Sequence, residues 1–60
     1  MKEIIKLISK RDSISLSVAH DRVKYTKQRI LNNPSKADDI LLEELALSHE
    51  YLPKLLKWYD

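Results

Sequence analysis

Sixty residues with no cysteine, no glycine and a formal net charge of +2 narrow the field before any residue is placed. The length allows one domain, residues 1–60, near the lower limit for a chain that folds alone; such a domain buries only about 60% of its unfolded surface. Absent cysteine removes disulfides and thiolate metal sites, and absent glycine removes phosphate loops, dinucleotide fingerprints and glycine-dependent hairpins.

Catalysis is therefore not expected, and neither is a cofactor, a metal or a small-molecule substrate. No apolar run approaches the roughly 18 residues that cross a bilayer, and no signal-peptide core follows Met1, which reads as a native start. The expected compartment is the cytoplasm. Charge is distributed unevenly. Residues 1–29 hold eight Lys/Arg against three acids, a balance of +5, whereas residues 30–60 hold three against six, a balance of −3.

Taken in chain order, Ile4, Ile5 and Ile8 share one face of residues 2–10, with Leu7 at its margin. Lys2, Lys6 and Lys10 step by four along the other side, so a short amphipathic helix is expected. Residues 11–15 break it, because Asp and Ser bond their own backbone. Ser15 is the expected N-cap of the next helix, with Ile14 and Ala19 at the positions of a hydrophobic staple.

Residues 16–31 read as one helix of roughly 24 Å. Its inward stripe is Leu16, Ala19, Val23, Thr26 and Ile30, and Arg22, Lys24, Lys27, Gln28 and Arg29 cover the other faces. Asn32-Asn33-Pro34 should end it, with Asn in the left-handed cap that Gly usually fills. Ser35 and Asp38 resemble a capping box for a third helix over residues 36–47, with Ala37, Ile40, Leu41 and Leu45 inward. Ser48 is placed to cap a last short helix with Pro53 in its first turn. There Leu52, Leu55 and Leu56 dock, with Trp58 and Tyr59 near the end. The expected fold is all-α: a small three-helix bundle with a short fourth C-terminal helix.

The segments KEIIKLI, RDSIS, AHDRV and ADDILLEELALSHEYL resemble small uncharacterised helical proteins of phages and mobile elements of Gram-positive bacteria. The resemblance spans residues 2 to about 56 and rests on packing and capping signals. It implies a short helix, a turn, a long helix and an acidic helix ending in a Leu-Gly-Leu-Glu-Pro-Asp-Tyr-like segment. Here Ala46 stands in place of that Gly, Ser48-His49 in place of Glu-Pro, and Ser13 in place of a turn Gly. Helix 3 is thus expected to run on where such proteins turn sharply.

Two surfaces are candidates for partners. Arg22, Lys24, Lys27 and Arg29, with Tyr25, form a basic set that could contact phosphates, and four contacts would give a salt slope of about −3.6 on duplex DNA. A solvated helix face explains the same residues. A helix-turn-helix over residues 2–31 is disfavoured by the length of the 11–15 loop and by Asp12 and Asp21; one over residues 16–47 would make the acidic helix the reader, which repels phosphate.

On the other half, Glu43 and Glu44, joined by Trp58 and Tyr59, are the candidate protein-binding residues, since Trp and Tyr often dominate interface energies. The bland alternative is an exposed acidic face, with Trp58 folded back onto the core. Asp38 and Asp39 are accounted for as helix-start charges. His20 and His49 lack a metal-ligand spacing. The expected function is a small accessory protein, phage- or plasmid-borne, that binds a protein partner or itself as a homodimer; a separate class is a structural assembly unit whose oppositely charged halves meet head to tail between copies. The alternative is a DNA-binding regulator using helix 16–31.

Overall fold

A computed structural model describes residues 2–58, and within them the chain is all-α with no strand. Four helices follow in order: α1 (Lys2–Asp12), α2 (Leu16–Asn32), α3 (Ala37–Leu45) and α4 (Leu52–Leu56). Single 3₁₀ turns at Pro34–Lys36 and His49–Tyr51 lead into α3 and α4. Helix α2 is the hub, with α1 and α3 packed along it and α4 resting on both α2 and α3.

The core follows the apolar periodicity. Ile4 and Ile8 of α1 meet Ala19, Val23 and Ile30 of α2; Ile40, Leu41 and Leu45 of α3 close the other side, with Leu47 and Leu55 completing the cluster. Thr26 is the polar member of the α2 stripe. It is buried with its hydroxyl donating to the Arg22 carbonyl at 2.8 Å, so the group carries no unmet hydrogen bond. Leu16, expected inward, is 54% exposed. It occupies the first position of α2, beside Ile5, Lys6 and Lys10 of α1 but not covered by them.

Three helix ends differ from the sequence expectation, each for a local reason. Helix α1 continues through Arg11 and Asp12, so the loop to α2 is only residues 13–15. Ser13 takes a left-handed conformation (φ 55°), the Ile14 amide donates to the Ser9 carbonyl at 3.0 Å, and the Ser9 hydroxyl donates to the Ile14 carbonyl. This is a Schellman-type close, and it turns Ile14 against the core. Ser15 then caps α2 as expected, accepting from the Val18 amide at 3.1 Å.

At the end of α2, Asn33 is not left-handed (φ −145°); its amide instead donates to the carbonyls of Arg29 and Ile30, both at 3.1 Å. The expected capping box is not formed either. The Ser35 hydroxyl donates to the Asn33 side chain, and the 3₁₀ turn passes into α3 without a side-chain cap. Ser48 likewise precedes its 3₁₀ turn without a side-chain cap.

Helix α3 stops at Leu45 rather than running to Leu47. Ala46 adopts φ 53° and ψ 39°, and its amide donates to the Leu42 carbonyl at 2.9 Å. Continued helix would carry Leu47 toward the edge of the buried stripe; the reversal at Ala46 buries it to 5% exposure. Burial of Leu47 offsets the cost of about 1–2 kcal/mol for a left-handed alanine.

Candidate protein-binding face

At 100° per residue, the basic residues of α2 do not make one stripe. Arg22 and Arg29, seven apart, fall on one flank of the buried line, while Lys24 and Lys27 fall on the opposite flank. The structure uses the two flanks differently. An Arg22 nitrogen lies 3.4 Å from an Asp12 carboxylate oxygen at the end of α1, and the Arg29 guanidinium donates to Glu44 of α3. These two arginines bind α2 to its neighbours. Glu44 is half-buried in that bridge while Glu43 is exposed, so the two glutamates do not present a joint acidic surface.

Asp12 sits at the negative end of the α1 dipole, an unfavourable place for a carboxylate. Arg11 compensates: its Nε lies 2.9 Å from Asp12 Oδ1. The hydrogen bond from Arg11 holds the Asp12 carboxyl below its ordinary range, with Arg22 adding to the effect.

The other flank is built around Trp58. Leu55 is fully buried and anchors α4. The chain then closes with the Lys57 amide on the Pro53 carbonyl (3.2 Å) and the Trp58 amide on the Leu55 carbonyl (3.1 Å). That turn lays the indole, half-buried, against the core. It meets His20 edge to face, with ring centroids 5.2 Å apart and an interplanar angle of 84°. Lys27 donates to the Trp58 carbonyl and holds its ammonium 6.0 Å from the indole centroid. Trp58 is therefore both a seal on the core and a surface ring, and Tyr59 lies outside the described residues.

Shallow depressions run on from this ring. One, almost wholly apolar, is bounded by Ile5, Leu16 and His20. Leu16 and Lys6 continue into a second with Lys10. On the other side of Trp58, Leu31 lies with Lys24 and Lys27 in a third, and Lys54 and Lys57 flank a fourth beside Glu3. Among the described residues, six lysines border this strip of aliphatic and aromatic side chains, with Glu3 beside one depression and Asp21 3.6 Å from the His20 ring. Sequence reasoning reached Lys24, Lys27 and Trp58 but not Ile5, Leu16 or Leu31. Their signal was present in part: Leu31 lies outside the inward stripe of α2.

Among the described residues no group of His, Asp and Glu is arranged to hold a metal ion, and no helix is long and apolar enough to cross a membrane. Comparison with protein-family models, with curated proteins and with solved structures returns no match.

Proposed function

We propose that this chain is a small non-enzymatic protein-binding module of the cytoplasm, a three-helix bundle closed by a short fourth helix, whose working surface is the lysine-bordered strip around Trp58. The observation that carries this reading is the lining of the strip: Ile5, Leu16, Leu31 and Trp58 are partly or largely exposed within a rim of lysines. Exposed aliphatic side chains gain most by covering, and lysines bordering them favour an acidic partner surface. Composition supports a binding role over catalysis, since the chain has neither cysteine nor a glycine loop.

The alternative, a DNA-binding regulator, draws less support. Arg22 and Arg29 are engaged with Asp12 and Glu44 and lie across α2 from Lys24 and Lys27. The three-residue turn between α1 and α2 suits a helix-turn-helix, yet the first turn of α2, which would enter the groove, carries no basic residue. Aliphatic lining also favours a protein surface over stacked bases.

Trp58 is the single tryptophan and reports directly on this face. Titration with a synthetic acidic helical peptide bearing exposed leucines should shift its emission and weaken with salt; a charge-inverted peptide should not bind. Random duplex DNA is titrated in parallel at about 50 mM salt, where phosphate contacts are strong. A response to duplex with none to the acidic peptide would replace this reading with the regulator.

A further inference from the structure

The chain itself carries a surface of the kind the lysine-bordered strip fits. Leu42 of α3 is 62% exposed, the largest exposure among the large apolar side chains described. At helical spacing it lies beside Asp38 and Asp39 one turn earlier, with Glu43 adjacent, and all three acids are exposed. Helix α3 contains no basic residue. A lone exposed leucine framed by carboxylates thus stands on one part of the molecule. An apolar strip framed by lysines stands on another, and the two surfaces have no residue in common.

We infer that copies of this chain associate head to tail, Leu42 of one copy entering the apolar strip beside Trp58 of the next, with Asp39 and Glu43 set against its lysine rim. The inference rests on the proposed binding role of the strip and names its occupant. Charge complementarity selects the pairing. Strip against strip would oppose lysines, and α3 against α3 would oppose carboxylates, so the isologous contacts are repelled while the heterologous one is favoured. A heterologous contact leaves one of each surface open at the ends, so the copies extend into short chains or close into a ring. The contact is small, and each ion pair on it is solvent-exposed, so association is weak and sensitive to salt.

Sedimentation equilibrium tests this on the full chain. The weight-average mass should rise above the 7.1 kDa monomer as protein approaches about 1 mM, a concentration matched to weak contacts, at low salt. It should fall back toward monomer when salt is raised to about 0.5 M. Leu42→Arg and Lys24→Glu change exposed positions and leave the core intact. Each alone should abolish the mass increase, and an equimolar mixture should form a dimer that grows no further, because each retains one competent surface. A strict monomer at low salt, or association unaffected by Leu42→Arg, overturns the inference. If the acidic peptide still shifts Trp58 in that case, the strip binds a partner other than its own copy and the binding role stands.

Discussion

Arg29 on α2 donates to Glu44 on α3, fastening two helices that pack along each other. Both side chains were candidates for contact with partners, one for phosphate and one for protein, yet they contact each other. Their exposure, 37% and 28%, leaves water near the pair and limits its worth. A double-mutant cycle of Arg29→Ala and Glu44→Ala, followed by urea unfolding, should give a coupling of about 0.5 kcal/mol that fades at high salt.

Ala46 marks a position where sequence and backbone disagree. Its φ of 53° is held by the burial of Leu47 and not by its own preference. Ala46→Gly should raise stability by about 1 kcal/mol, because glycine enters the left-handed region without a Cβ clash. For a domain of this size the melting temperature should rise by about 4–8 °C, measured by circular dichroism.

Leu55 is what makes α4 part of the domain. A helix of five residues has no stability of its own, and this leucine is its fully buried side chain. Leu55→Ala should cost about 2–5 kcal/mol, enough to remove most of the stability of a 60-residue fold. Trp58 emission should move to longer wavelength as the indole loses His20 and the core. Leu56→Ala, at a 39% exposed position, serves as the control and should cost about 1 kcal/mol or less.

Asp12 supplies an acid limb to stability. Its folded-state pKa is depressed, first by the hydrogen bond from Arg11. The carboxylate therefore contributes above the unfolded value of about 3.9, and that contribution is lost as pH falls through the folded pKa. Urea midpoints measured from about pH 6 to about pH 2 should fall less steeply for Asp12→Asn than for the wild type over this window. Equal slopes would mean the Arg11 contact is not populated in solution.

The acidic half of the chain shows how far charge alone can be read. Asp38 and Asp39 sit in the first turn of α3, where the helix dipole favours them, as their place after Asn32–Ser35 implied. Glu44 carried no such local cue. Its partner is fifteen residues away on another helix, and only packing α3 onto α2 brings it within reach of Arg29. Lys27 is the same case at greater range, since its partner carbonyl belongs to Trp58.

What the amino-acid sequence determined by itself was local: all-α structure, the Ser15 cap, the buried line Ala19–Val23–Thr26–Ile30, and Pro53 in the first turn of a short last helix. These follow from 3.6-residue periodicity and from side chains bonding their own backbone, interactions that span a few residues. Tertiary structure alone decided where α3 ends, because the left-handed turn at Ala46 depends on a core that accepts Leu47. It also decided that Arg22 and Arg29 reach Asp12 and Glu44 on one flank of α2 while Lys24 and Lys27 lie on the flank of Trp58. Leu16, counted in the inward stripe, became surface because whether an apolar side chain is covered depends on how the neighbouring helix lies over it, and periodicity within one helix does not contain that information.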